Sequence, residues 1–146
     1  MVHYEGATRG QVFMYDNNYG NGLFMFNAQP GDLGITYDSS TGTIWTSNFD
    51  SGLVTQYQMD GVRLFQFFSG GLAVGALAYD AIDDSFWMAI NSTGVLAQFD
   101  RNGNLLQSIT APNYVVGGEC APVPEPASIV ALCAGLAGLA LARPRK

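Results

Sequence analysis

Two stretches of the chain align without a gap at an offset of 42 residues. The first, ITYDSSTGTIWTSNFDSGLVTQYQMDGVRLFQF, starts at Ile35; the second, LAYDAIDDSFWMAINSTGVLAQFDRNGNLLQSI, starts at Leu77. Identical pairs are Tyr37/Tyr79, Asp38/Asp80, Trp45/Trp87, Gly52/Gly94, Gln56/Gln98, Gly61/Gly103 and Leu64/Leu106. Like-for-like pairs such as Ile44/Phe86, Val54/Leu96 and Tyr57/Phe99 fall between them. One step further back, GQVFMYD at Gly10 repeats the Gly-x-Val-x-x-Tyr theme of GLVTQY and GVLAQF, so a partial third copy opens the chain. Self-similarity at a fixed period of this size is the mark of a repeat architecture, in which each unit buries its apolar face only against the next.

Inside each copy the local code is β. Aromatic and β-branched runs alternate with Gly, Asn, Asp and Ser clusters at about ten-residue spacing, and no helical periodicity competes before residue 126. Strands are predicted near 33–38, 43–48, 53–59 and 62–68, then near 75–80, 85–90, 95–100 and 104–109. Asp60-Gly61 and Asn102-Gly103 predict tight hairpins, since Gly and Asn tolerate positive φ. Four antiparallel strands in roughly 40–50 residues make the unit of a β-propeller blade. The predicted fold class is all-β: a partial blade over 10–32, complete blades over 33–74 and 75–110, and a Gly/Pro linker over 111–122, followed by one C-terminal apolar helix. The repeats resemble NHL-type and related six-bladed propeller repeats, which share the order apolar-x-Tyr/Val-Asp, Gly-x-aromatic-Trp/Tyr-Val and Val-x-x-Phe-Asp-x-x-Gly. That resemblance covers about residues 10–110 and implies a fold, not an activity. A propeller closes its ring with typically four to eight blades. The expectation is therefore a C-terminal piece of a longer propeller, with self-assembly of such chains or a decayed gene fragment as alternatives.

Charge divides the chain in two. Residues 1–126 hold all twelve acids against Arg9, Arg63 and Arg101, whereas Arg143, Arg145 and Lys146 fall in the last four positions. The acidic body excludes nucleic acid as a partner, because phosphate contacts need a basic surface. Between the two regions lies VPEPASIVALCAGLAGLALARPRK, from Val123 to Lys146. Pro124 and Pro126 break helix ahead of an uncharged run from Ala127 to Ala142, which predicts a transmembrane helix over 127–142. Sixteen helical residues rise about 24 Å, short of the roughly 30 Å hydrocarbon core. The basic cluster behind the run nevertheless fits the positive-inside rule and puts the C-terminus on the cytoplasmic side.

This three-part order resembles the PEP-CTERM sorting signal of Gram-negative bacteria, with Val123, Pro124, Glu125 and Pro126 as its recognition residues. The resemblance implies an exosortase as processing partner, transient or lasting anchorage in the inner membrane, and delivery to the cell envelope or surface, often in biofilm-forming species that make exopolysaccharide. It also implies a leader for export, and no charged n-region followed by an apolar h-region heads the chain. That gap supports the expectation of an incomplete N-terminus.

Candidate chemistry is sparse. His3 is the one histidine, so a Ser-His-Asp arrangement within these residues is not expected. Cys120 and Cys133 have no metal-ligand spacing, and neither a metal nor a cofactor is expected. Asp38 and Asp83-Asp84 fall in turns, where carboxylates bond their own backbone. DNNYGNG from Asp16 lacks the ligand order of a calcium loop and reads as a hairpin turn. Trp45 and Trp87 read as core between blades, not as a sugar-stacking platform, and the repeated Tyr37/Tyr79, Asp38/Asp80, Gly52/Gly94 and Gly61/Gly103 pairs read as blade structure. Asn91-Ser92-Thr93 is a glycosylation triplet in form only. The leading expectation is a non-catalytic binding module for polysaccharide or another surface protein. The alternative is a lyase- or esterase-like propeller enzyme with its catalytic residues on blades outside this chain.

Overall fold

Alternating residues and well-placed turn formers give eleven strands in the computed structural model of the chain, which describes residues 2–4, 10–16, 18–111, 114, 115, 117, 118 and 120. The strands are β1 (Val2–Tyr4), β2 (Gly10–Met14), β3 (Leu23–Ala28), β4 (Asp32–Asp38), β5 (Thr43–Asn48), β6 (Leu53–Tyr57), β7 (Arg63–Phe68), β8 (Val74–Asp80), β9 (Ser85–Ile90), β10 (Val95–Phe99) and β11 (Leu105–Thr110). They form three antiparallel sheets in simple meander order: β1-β2-β3, β4-β5-β6-β7 and β8-β9-β10-β11. Among the described residues there is no helix, and so none long and apolar enough to cross a membrane. The helix expected at 127–142, with the whole sorting signal from Val123, lies outside the described residues.

The first sheet reaches further than its sequence theme suggested, because β1 adds a strand beside β2 with Val2 opposite Val12 and Tyr4 opposite Gly10. In the other two sheets the repeat pairs occupy matching sites. Trp45 lies opposite Gln56 and Trp87 opposite Gln98 across the second and third strands. The Gln56 amide donates to Thr43 Oγ1 at 3.0 Å, and the Gln98 amide donates to Ser85 Oγ at 2.7 Å. Each repeated glutamine thus ties its strand to the neighbouring one with a side-chain bond.

The last hairpins of the two complete blades close on paired backbone bonds, Gln58 N to Val62 O with Gly61 N to Gln58 O, and Asp100 N to Asn104 O with Gly103 N to Asp100 O. Gly61 and Gly103 adopt φ of +89° and +81°. A Cβ on Gly61 would come 2.6 Å from Phe26 of the preceding sheet, and one on Gly103 would come 2.5 Å from Phe67. These two positions therefore need glycine for both conformation and close approach, and each hairpin tip rests on the outer strand of the sheet before it.

The Gly52/Gly94 pair is equivalent only in its backbone. Gly52 N donates to Asn48 O and Gly94 N to Ile90 O, both at 3.0 Å, while the two carbonyls accept from Ser69 N at 3.0 Å and Ala111 N at 2.9 Å. Gly52 is buried, and a Cβ there would come 2.0 Å from Gly71 O, on the connection that leads to the third sheet. Gly94 is exposed, and a Cβ there would meet nothing within 4 Å. Both glycines thus hold the same left-handed turn, at φ of +70° and +67°, and they differ in what surrounds them. No described connection crosses Gly94, so close packing does not require glycine there.

Burial follows the same stacking. One cluster, with Val12, Phe26, Ala28, Ile44 and Tyr57, lies between the first and second sheets. A larger one, with Trp45, Val54, Leu77, Tyr79, Phe86 and Met88, lies between the second and third. The innermost strands β4 and β8 run beside each other, with Tyr79 N donating to Thr36 Oγ1 at 3.0 Å, and Ser47 Oγ of β5 donates to Val74 O of β8 at 3.3 Å. Trp45 faces the third sheet and is fully buried, with its ring centroid 4.5 Å from that of Phe86. Trp87, its repeat partner, is only half-buried, since the corresponding face of the third sheet lacks a further four-stranded sheet among the described residues. Of the two tryptophans expected between blades, Trp45 is the one enclosed there.

Candidate functional site

The two gaps between sheets are closed differently at the end that carries the β4–β5, β6–β7, β8–β9 and β10–β11 turns. Between the second and third sheets, Arg101 from the β10–β11 turn fills the gap. Its Nε donates to both Asp84 carboxylate oxygens at 2.7 Å, its Nη1 to Asp38 Oδ2 at 2.5 Å, and its Nη2 to Ser40 Oγ at 2.6 Å and Tyr79 Oη at 3.1 Å. The guanidinium carbon also stands 5.4 Å from the centroid of the Tyr79 ring. Tyr79 Oη donates in turn to Asp84 Oδ1 at 2.8 Å.

The aspartates here exceed the role expected of them. Asp38 does cap its own turn, accepting from Ser40 N at 3.0 Å and from Thr41 Oγ1 at 2.5 Å. It is also fully buried and joins the second blade to the third through Arg101. Burial would raise its carboxyl, but the Arg101, Thr41 and Ser40 hydrogen bonds outweigh this and hold it well below the usual carboxylate range. The Arg101 hydrogen bond also lowers Asp84, and the bonds to Asp84 and Asp38 raise Arg101 further. Burial raises Tyr79. Asp80, the repeat partner of Asp38, only caps its own turn, through Ile82 N at 3.0 Å.

The gap between the first and second sheets has no such plug. The repeat partner of Arg101 is Met59, and that of Asp84 is Gly42. In place of the ionic knot lies an open groove of about 850 Å³ whose walls include Phe13, Tyr15, Tyr19, Met25, Tyr37 and Met59. Tyr15 fits against the β2–β3 turn because Gly22 leaves room; a Cβ there would meet the ring at 2.6 Å. The β2–β3 connection is organised by its own carboxylate: Asp16 Oδ1 accepts from Asn18 N at 3.0 Å and Gly20 N at 2.9 Å. Tyr37 is 56% exposed on the groove, whereas its repeat partner Tyr79 is 7% exposed. The same residue type in the same register thus becomes core beside Arg101 and groove wall beside Met59. The sequence reads Tyr37 as blade structure, and the structure adds this second setting to it.

The groove offers aromatic faces, the three thioethers of Met14, Met25 and Met59, and few polar groups. Of its polar atoms, Asp16 Oδ1 accepts within its own loop and Thr36 Oγ1 accepts from Tyr79 N. Such a surface suits binding by apolar and stacking contact, which is the composition of ligand clefts generally.

Residues 122–146 match the PEP-CTERM protein-sorting motif, so Val123, Pro124, Glu125, Pro126, Ala127, Ala142, Arg143, Arg145 and Lys146 all fall within a recognised signal. This motif implies export to the cell envelope or surface by way of the membrane and processing by an exosortase. No curated protein matches the chain. Among solved structures, the chain is similar to Kuenenia stuttgartiensis hydrazine synthase, with a TM-score of 0.56 and 16% identity over 64% of this chain and 27% of that one. It is also similar to the β-propeller domain of Myceliophteria thermophila Cps50 (Swd1), with a TM-score of 0.52 and 11% identity over 63% of this chain and 30% of that one. The chain thus spans less than a third of the length of either, and what they share with it is a propeller-type fold.

Proposed function

We propose that the chain is the binding part of an exported surface protein, held for sorting by a C-terminal membrane helix over 127–142 and released by an exosortase near Pro124-Glu125-Pro126. The observation that carries this reading is the sorting motif at 122–146 placed directly behind a propeller-type body. Two prolines keep the approach to the helix extended, which leaves Glu125 accessible just outside the bilayer. The basic end, Arg143 to Lys146, stays cytoplasmic until cleavage. The ligand sits in the tyrosine-lined groove between the first two sheets and is an extracellular polysaccharide or another surface protein. Binding fits the groove better than catalysis does, because aromatic, thioether and aliphatic side chains make up most of its walls.

Sorting is tested in a host with an exosortase, with the chain expressed behind an export leader. The wild type is expected to lose its tail and leave the inner-membrane fraction. The Pro124→Ala/Pro126→Ala variant is expected to stay there at full length, and equal cleavage of the two would sink the assignment. Binding is tested by co-sedimenting the released body with the host's isolated exopolysaccharide. Tyr37→Ala is expected to weaken retention about tenfold, in line with the loss of one stacking contact of 0.5–1.5 kcal/mol or so. Unchanged retention would move the binding site off the groove.

A further inference from the structure

The two gaps between sheets hold the same tyrosine with and without a cation. In the second gap the Arg101 guanidinium carbon stands 5.4 Å from the centre of the Tyr79 ring, inside the roughly 6 Å reach of a cation–π contact. Its Nε and Nη1 take the carboxylates of Asp84 and Asp38. One period earlier, Tyr37 holds the position of Tyr79, and Met59 stands in the place of Arg101. The Tyr37 ring is exposed on the groove, and its hydroxyl has no hydrogen-bond partner among the described residues.

The groove is also short of positive charge. No cationic side chain among the described residues lines it. Asp16, on its wall, uses Oδ1 for the amides of Asn18 and Gly20 and leaves Oδ2 without a partner among the described residues. The body around it carries all twelve acids of the chain against three arginines, and one of these, Arg101, is closed off in the second gap.

We infer that the groove takes a cation in the place that Arg101 fills in the second gap, and that this cation is the ammonium of an amino sugar on a polysaccharide whose amino groups are free. The ligand so named depends on the binding role proposed above for the groove. A sugar fits better than a basic peptide, because Tyr15, Tyr19 and Tyr37 present three exposed rings. Each ring joins an apolar face to a hydroxyl at its rim, which matches the C–H face and the hydroxyls of a pyranose. The space, about 850 Å³, lies at the upper end of small-ligand clefts and has room for more than one sugar ring.

Binding is measured at equilibrium on the full chain in polyoxyethylene detergent micelles, in buffer acidic enough to keep sugar amines protonated. The probes are a hexamer of chitosan, whose amines are free, a hexamer of chitin, whose amines are acetylated, and hexalysine. The chitosan hexamer is expected to bind about tenfold more tightly than the chitin hexamer, with the difference shrinking as salt is added. Asp16→Asn keeps the Oδ1 acceptor of its loop and is expected to cut the preference to about threefold, the loss of one exposed ion pair. Met59→Arg puts a cation where the second gap has its own and is expected to abolish the preference, whereas Met59→Leu keeps it. Equal binding of the two sugar hexamers, or binding of neither, overturns the cation. The groove as a binding site is then decided separately, by Tyr37→Ala and the host's polysaccharide. A preference that survives both Asp16→Asn and Met59→Arg overturns the groove as its place, because the ammonium is then held elsewhere on the acidic body. Tighter binding of hexalysine than of the chitosan hexamer, sensitive to the same two substitutions, overturns the sugar and makes the ligand a basic segment of a protein.

Discussion

Arg101→Ala is expected to lower the unfolding free energy of the body by about 3 kcal/mol, the low end of the cost of leaving a buried partner charge uncompensated. Asp38 is fully buried, so its carboxylate would lose a donor with no water to replace it. Asp84 is more than half exposed, and its share of the knot is worth little. Asp84→Gly is therefore expected to cost under about 1 kcal/mol. It also relieves a φ of +58° that the other repeat assigns to Gly42, at φ +68°. Arg101→Lys is expected to fall near the alanine variant, because one ammonium cannot serve Asp38, Asp84, Ser40 and Tyr79 together as the planar fork does. Denaturant unfolding of the three variants checks this, and equal losses for Arg101→Ala and Asp84→Gly would mean that Asp38 is not the partner that matters.

The pH dependence has a defined sign. Asp38 and Asp84 bind protons less readily folded than unfolded. The stability they give is present above the unfolded carboxylate value of about 3.9 and is lost as pH falls below it. Asp32 works the other way: burial raises its carboxyl despite bonds from Thr46 and Asn48, so its contribution is present at low pH and lost as pH rises through its raised folded value. Between pH 7 and pH 3 the wild type is expected to lose more stability than Arg101→Ala does, because the variant no longer holds Asp38 ionised.

How much of this was legible before any coordinates depended on what each feature contacts. Strands and hairpins rest on local alternation and on dipeptides such as Asp60-Gly61, so their places could be read within one copy of the repeat. The Gln56/Gln98 and Gly61/Gly103 pairs could be read too, since each does the same work in both blades. What could not be read by matching copies is what differs between them. Arg101 reaches Asp38 across 63 positions, and its signal was a double departure from the repeat: Arg101 for Met59, and Asp84 for a glycine in a left-handed site. Tyr37 and Tyr79 are identical in sequence and read alike, but the neighbouring sheet decides which one is core. Gly52 and Gly94 likewise match in sequence, and only the connection at Gly71 makes the first a packing site. The stretch after Ala111 reads as linker from its Gly and Pro content, because Asn91, whose amide bonds Val115, lies 24 positions away in sequence.

The second large effect is expected at Trp45 and Trp87, another repeat pair whose members differ in setting. Trp45→Ala should cost about 3–5 kcal/mol, since the ring is fully buried among Phe86, Phe65 and Phe67 and its removal leaves a cavity between two sheets that cannot close independently. Trp87→Ala should cost about 1–2 kcal/mol, in proportion to a ring that is only partly withdrawn from water. Trp45→Phe separates volume from polarity. The indole Nε1 of Trp45 is buried with no hydrogen-bond partner among the described residues, a burden of about 1–3 kcal/mol that phenylalanine does not carry. That relief offsets much of the smaller ring's lost packing, so the phenylalanine variant should stay within about 1.5 kcal/mol of the wild type. Thermal and denaturant unfolding of the three proteins checks the order. If Trp45→Ala and Trp87→Ala cost the same, the interface between the second and third sheets is not where the body's stability is concentrated. If Trp45→Phe costs as much as Trp45→Ala, the indole nitrogen has an acceptor in solution.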